Sequence, residues 1–382
     1  MNSRERVLAA INHKPLDRFP LDIGGPISGI SKIAYDRYLR KYASHLYPST
    51  VCDKFQQLGC LHEEMLQQWK VDTRHVCASF DGRTIDENSY YDALGIKYET
   101  VYSPSYDQPL YSSMAERPLE NTRKTENVEE FSWPKLEEIQ FDELRTTTKK
   151  IRKNGYAVVA DAPHGGVLEL VTFLVGPEGF YRDLYSKYDF FETLIDSITY
   201  TFYIPYWEKV LGEVGEWIDI VLIGDDYGMQ DRMTISPKMW RQLVKPRVKA
   251  VVDTIKNVAD VKVLLHCCGS VYPIIPDLIE VGFDILNPIQ PRAKDMNHEK
   301  IKIKFGDKLC FHGGVDIQEV MPNGTPKEVQ QEVQRVFNTL GSDSTGYILA
   351  TAHNILADVP PENIHAYLTW QREKLTGFQK EV

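Results

Sequence analysis

The strongest chemical signal in the chain is the pair His266 and Cys268, two positions apart in Leu264-Leu265-His266-Cys267-Cys268-Gly269. If this apolar run is a strand, side chains two apart share a face, so an imidazole and a thiolate can meet one ion while Cys267 faces the packing layer behind. A buried histidine and a free cysteine are also ordinary core residues, and the pair alone leaves both readings open. His353, at the end of the apolar run Gly346–His353, offers a third donor. Two imidazoles and a thiolate suit zinc, with the fourth position left open as in catalytic sites.

Other polar side chains also follow apolar runs. Asp225 and Asp226 end the run Ile218–Asp226, and alternation sends them to opposite faces. A carboxylate there can orient a ligand or substrate, or it can cap a helix. Together with Gln230 they form the catalytic candidates, without a choice between the two aspartates. His164, Tyr227 and His312 are the candidates for substrate contact, His312 standing beside Gly313-Gly314 with Asp316 just beyond.

The elements that position these residues follow from periodicity. The β-branched runs Tyr156–Ala162, Ile218–Asp226, Val261–Gly269, Phe283–Gln290, Leu309–Asp316 and Gly346–His353 are separated by helical stretches such as Ser236–Asn257, Thr325–Leu340 and Pro361–Leu375. That alternation is the mark of parallel βαβ units. Phe19–Ile23 and Thr73–Ala78 bring the strands to eight, the count of a (β/α)8 barrel. Thr325-Pro326-Lys327-Glu328 reads as a helix cap followed by proline at the first helical position. No G-x-G-x-x-G occurs, which disfavours an open dinucleotide-binding sheet. The expectation is α/β: one TIM-barrel domain over residues 1–382, with an N-terminal helical extension and a β-rich insertion at about 80–135. The tyrosines of that insertion, Tyr90, Tyr91, Tyr98, Tyr102, Tyr106 and Tyr111, are read as packing residues covering one barrel end. In such a barrel the polar strand ends share one mouth.

Composition narrows the function classes. The 382 residues are 42% hydrophobic and 26% charged, ordinary for a globular chain, and the net charge is −10 with lysines and arginines scattered among carboxylates. Nucleic-acid and anionic-membrane partners are not expected. Nor does any segment reach the roughly 20 uninterrupted apolar residues of a membrane span. The charged opening Met1-Asn2-Ser3-Arg4-Glu5-Arg6 lacks the apolar core of a secretion signal. Six irregularly spaced cysteines do not suggest a disulfide framework, and a reducing cytoplasm is the expected compartment.

Several motifs carry a family resemblance. They are Arg4-Glu5-Arg6-Val7-Leu8-Ala9-Ala10 with Lys14-Pro15-Leu16-Asp17-Arg18-Phe19-Pro20, Gly224-Asp225-Asp226-Tyr227-Gly228-Met229-Gln230 with Ile235-Ser236-Pro237, and His266-x-Cys268-Gly269-Ser270. Asp284-Ile285-Leu286-Asn287-Pro288, Gly313-Gly314-Val315-Asp316, Gly324-Thr325-Pro326 and Pro361-Glu362-Asn363-Ile364 follow in order. The chain resembles the uroporphyrinogen decarboxylase superfamily, and within it the corrinoid-dependent methyltransferase branch. The resemblance implies a TIM barrel, and zinc held by a His-x-Cys pair plus a cysteine near the last strand. His266 and Cys268 match the pair, whereas His353 stands where that branch has cysteine. The decarboxylases open on an Arg-Gln-Ala-Gly-Arg substrate loop; here Asp22-Ile23-Gly24-Gly25-Pro26-Ile27-Ser28-Gly29-Ile30 replaces it, without cations for a polycarboxylate.

The resemblance thus implies zinc and a corrinoid as cofactors, and methyl transfer between a small donor or acceptor and the corrinoid. No D-x-H-x-x-G corrinoid signature is present, so the corrinoid is expected on a separate partner protein. Neutral imidazole in place of a thiolate leaves the metal more electrophilic. That favours a methyl-donor demethylase, such as one acting on methoxylated aromatics. The alternatives are methylcorrinoid:thiol transfer, decarboxylation of the uroporphyrinogen type, and a non-catalytic barrel serving as a binding subunit. A homodimer is compatible with all of them.

Overall fold

The computed structural model describes residues 1–375. Seven parallel strands form the central sheet in the order Tyr347–Ile348, Cys310–His312, Ile285–Asn287, Lys262–His266, Ile220–Gly224, Ala157–Asp161 and Thr73–Cys77. Neighbours in space are thus neighbours in sequence, as right-handed βα repetition demands. The eighth staff is the short segment Pro20–Asp22, which pairs with both edges. Leu349 N–H donates to Pro20 O and Asp22 N–H to Leu349 O on one side, and Asp72 N–H to Leu21 O on the other. The sheet therefore closes, and the expected (β/α)8 barrel is the observed fold.

Alternation along these strands sorts the core into two layers. Ala157, Val159, Ile220, Leu222, Leu264, Ile285, Cys310 and Ile348 fill the barrel interior together with Val7, Ala10 and Ile11 of the first helix, which plugs the lower end. That helix, Ser3–Ile11, starts at a capping box between Asn2 and Glu5. The other strand faces pack against the surrounding helices in a larger cluster that includes Val158, Val221, Val263, Leu265, Leu286 and Phe311. The helix Pro326–Leu340 opens on the expected cap, with Thr325 and Glu328 bonded reciprocally.

Two expectations are corrected. The insertion is β-rich only to Glu116: an antiparallel sheet of Arg83–Thr84, Ser89–Tyr91, Lys97–Ser103 and Gln108–Glu116 is followed by turns and the short helix Thr125–Glu129. Pro118 and the charged run after it supply no alternating pattern to extend the sheet. The cysteines are not all thiols, because Cys52 and Cys60 are joined in a disulfide across the hairpin Val51–Gly59. A single bridge over eight positions is a local staple, and spacing alone could not distinguish it from a free pair. Among the described residues no helix is long and apolar enough to cross a membrane.

Candidate metal centre at the barrel mouth

Moving two residues up from the apolar interior layer reaches a polar layer on four of the strands. Val159 gives Asp161, Leu264 gives His266, Ile285 gives Asn287 and Cys310 gives His312. His75 and Asp22 complete the ring on the strands either side of the closure. The same period-2 geometry that packs the core therefore aims six polar side chains into one opening.

On one side of this opening lie the metal candidates. His266, Cys268 and His353 each present a donor atom, and the three atoms lie within 4.8 Å of one another. The rings of His266 and His353 are 5.1 Å apart and nearly perpendicular, and Cys268 Sγ is 3.5 Å from His266 Nε2. Cys267 faces away, fully buried, its sulfur accepting the N–H of Tyr227 at 3.2 Å. The strand phase inferred from the sequence is thus the observed one. Cys268 itself is set by a close approach of two loops: Gly269 has φ +83°, and a Cβ there would lie 2.4 Å from the backbone of Gly228. Only glycine allows that contact, which lets Asp226 accept the Cys268 N–H at 2.7 Å.

The local chemistry fits a cation. Burial, then the carboxyl groups of Asp226 and Glu169, push the Cys268 thiol well up. Burial and the neighbouring His266 hold His353 down at about 3, so its ring is neutral at physiological pH. A bound divalent ion reverses the thiol's balance and takes lone pairs from neutral imidazoles. Burial beside Asp226 and Asp225 also pushes the carboxyl of Glu169 well up.

Across the opening the groups are charged. His75 lies between Asp22, at 3.0 Å from Nε2, and Asp161, at 2.9 Å from Nδ1. Burial alone would favour the neutral ring, but the Asp161 and Asp22 carboxylates raise its pKa to about 10, so it is an imidazolium. Against the cost of burial, His75 and a hydrogen bond from His312 keep Asp22 well below the usual carboxylate range. Ser28 and Thr73 hydroxyls donate to the same carboxylate.

The remaining sequence candidates take different places. Asp225 is fully buried and caps the helix Val167–Val175, accepting the N–H groups of Leu168 at 3.1 Å and Glu169 at 2.7 Å. Tyr227 is fully buried too, and its hydroxyl donates to Asp225 at 2.8 Å. Burial raises Asp225 to about 7 despite those donors. Both residues therefore support the wall of the mouth from behind. Gln230 is exposed on the rim, its side chain donating to Arg292 O at 2.5 Å and accepting from Gln290 at 3.1 Å. His312 is buried within the polar layer. His164 stands beyond the Asp161 strand with its ring 6.3 Å from that of Phe202, and burial lowers it to about 4. Sequence reading missed Asp22, His75, Asp161, Asn287 and Glu169. For Asp161 and Asn287 the usable signal was their position two residues above an inward apolar side chain, Val159 and Ile285; Asp22 and His75 follow Pro20 and Thr73, and Glu169 lies on the helix Val167–Val175.

Comparison with known proteins agrees with this architecture. The family described as uroporphyrinogen decarboxylase (URO-D) matches residues 92–373, most of the chain. Similar proteins include a uroporphyrinogen decarboxylase of Chlorobium phaeobacteroides, 22% identical over 176 residues, covering 45% of this chain and 46% of that protein. They also include the methylcobamide:CoM methyltransferase MtaA of Methanosarcina barkeri, 26% identical over 208 residues, covering 54% of this chain and 56% of that one. The matched region thus spans about half the length of these relatives. A solved methyltransferase structure from Methanosarcina mazei superposes with a TM-score of 0.67 at 19% identity, covering 98% of this chain and 99% of that one, and shares the fold. The chain belongs to the uroporphyrinogen decarboxylase family.

Proposed function

We propose that this member of the uroporphyrinogen decarboxylase family is a zinc-dependent methyltransferase that moves a methyl group from a small donor, such as a methoxylated aromatic, to a corrinoid carried on a partner protein. The observation that carries the reading is the convergence of His266, Cys268 and His353 at the mouth. Zinc held by these residues would act as a Lewis acid on the donor's ether oxygen, where negative charge develops as the carbon–oxygen bond breaks. His353 contributes a neutral ring, which leaves the ion more electrophilic than a second thiolate would. Asp226 fixes the backbone that carries Cys268, and Asp225 with Tyr227 holds the helix and loop behind it. Decarboxylation of a polycarboxylate finds less support, because the cation of the mouth layer, His75, is already neutralised by Asp22 and Asp161.

Incubating the protein with zinc, a methoxylated aromatic and a partner carrying reduced corrinoid should convert the reduced-corrinoid absorbance to that of the methylated form, without added coenzyme M or folate. His266→Ala should abolish this turnover even where substrate still binds. A second reading, methyl transfer from a corrinoid to a thiol, is favoured by the similarity to the M. barkeri methylcobamide:CoM methyltransferase. Demethylation of methylcorrinoid only when a thiol is supplied would establish that reading and overturn the first.

A further inference from the structure

Asn287 donates nothing to the metal candidates and belongs to no apolar cluster, yet its side chain is fully buried and engaged at both ends. Its Oδ1 lies 2.5 Å from His266 Nδ1, and its Nδ2 lies 2.7 Å from His312 Nδ1 and 3.2 Å from His312 O. His312 Nε2 in turn lies 2.9 Å from Asp22 Oδ2. These contacts form one unbroken line of side chains from Asp22 on the first barrel segment to His266 on the fifth.

The line has a direction, set by two groups that can only accept. A carboxylate offers no proton, so His312 Nε2–H donates to Asp22. A backbone carbonyl cannot donate either, so the amide nitrogen of Asn287 must face His312 O, where it also serves Nδ1. Its oxygen then faces His266, whose Nδ1 must carry the proton. The remaining lone pair of His266 sits on Nε2, the atom facing Cys268. Two further features hold the line in place. The His75 imidazolium pins Asp22 as an anion from its other oxygen. Gly313, with φ +78°, leaves room for the amide, since a Cβ there would stand 3.1 Å from Asn287 Nδ2.

We infer that Asp22, acting through His312 and Asn287, is a positioning residue that fixes the ring tautomer of His266 and so presets its Nε2 lone pair for a cation. The effect on metal affinity rests on the zinc reading above; the effect on the ring does not.

The test pairs two readouts on the full chain. Imidazole nitrogen NMR of the metal-free protein reports which ring nitrogen of His266 is protonated, and titration with zinc alone reports affinity. In the wild type His266 is protonated on Nδ1. Asn287→Leu should mix the tautomers and weaken zinc binding by about 10–100-fold, the range for losing a hydrogen-bond partner behind a ligand. Asn287→Asp keeps an acceptor opposite His266 but gives up the donor to His312, and should retain the Nδ1–H tautomer with a smaller loss of affinity than Asn287→Leu. Asp22→Asn, which can donate as well as accept, should populate the second tautomer with a several-fold smaller loss of affinity than Asn287→Leu. Wild-type tautomer and affinity in folded Asn287→Leu would overturn the proposal. So would equal losses in Asn287→Leu and Asn287→Asp, since packing rather than polarity would then be at work. If Asp22→Asn does not fold, the Asn287 pair decides alone. If the wild type binds no zinc but the tautomers shift as stated, the metal reading fails and the positioning line stands.

Discussion

The two sides of the barrel mouth are built from the same layer of strand positions and differ in what their polar atoms have left to give. Around His75, both ring nitrogens face carboxylates, and Asp22 receives His75, His312, Ser28 and Thr73. Around His266, Cys268 Sγ lies 3.5 Å from His266 Nε2, and His353 Nδ1 accepts the N–H of Asn354 at 2.8 Å. A buried polar network that is fully satisfied rigidifies a fold. One whose potential ligand atoms lie within 4.8 Å of one another with few other partners is suited to receive a ligand. The charged side therefore serves as scaffold and the neutral side as receptor, and Asn287 with His312 joins them.

Breaking the receptor should have the largest effect. The wild-type protein is expected to carry about one zinc per chain, and Cys268→Ser or His353→Ala should bring that close to none, while Cys267→Ser should leave it unchanged; elemental analysis decides. Loss of zinc in Cys267→Ser but not in Cys268→Ser would place the receptor on the wrong strand face.

Breaking the scaffold should read out as stability instead. His75→Leu leaves Asp22 and Asp161 buried without their cation and should cost about 3–5 kcal/mol in denaturant unfolding, with zinc stoichiometry preserved in the protein that remains folded. An unchanged unfolding midpoint would show that the imidazolium is dispensable.

The comparison sharpens with pH. His75 is raised from its ordinary 6.5 to about 10, so its contribution is complete below pH 6.5 and declines until lost above about 10. His164 and His298 are buried neutral and lowered to about 4, so theirs is complete above pH 6.5 and is lost as pH falls through 4. The thermal midpoint of the metal-free protein should therefore fall as pH rises from 6.5 towards 10, whereas on the acid side the raised Asp225 and Glu169 carboxyls oppose the two histidines. His75→Gln should flatten the alkaline limb only.

The smallest effect is expected at Tyr227. Its hydroxyl serves Asp225 behind the wall, so Tyr227→Phe should cost about 1 kcal/mol of stability and leave the KM for a methyl donor unchanged. A raised KM would return Tyr227 to the substrate surface.

How much of this was visible beforehand depends on distance along the chain. Six strand runs, the facing of Cys268 against Cys267, and the shared mouth of His266 and His353 follow from period-2 alternation, which is local. The link between Asp22 and His312 spans 290 positions and depends on how the barrel closes. Alternation said that Asp225 and Asp226 part ways but not what each would meet. The answer lay in the helix Val167–Val175, whose first N–H groups needed an acceptor. Gln230 fell on the rim because the chain leaves the strand at Gly224 and no longer keeps its phase.

The closure also fixes when the mouth can exist during synthesis. Gly29 N–H binds the side chain of Asn354 across 325 positions, beside the last metal candidate, His353. A ribosome-bound chain that has emerged only through Cys268 holds two of the three candidate donors and lacks His312 to orient them. Such distant contacts form late, so the three candidate donors meet only once the barrel is complete. On the zinc reading proposed above, metal uptake would mark a finished fold, and a truncated or misassembled copy would be distinguishable from a sound one by its failure to retain the ion.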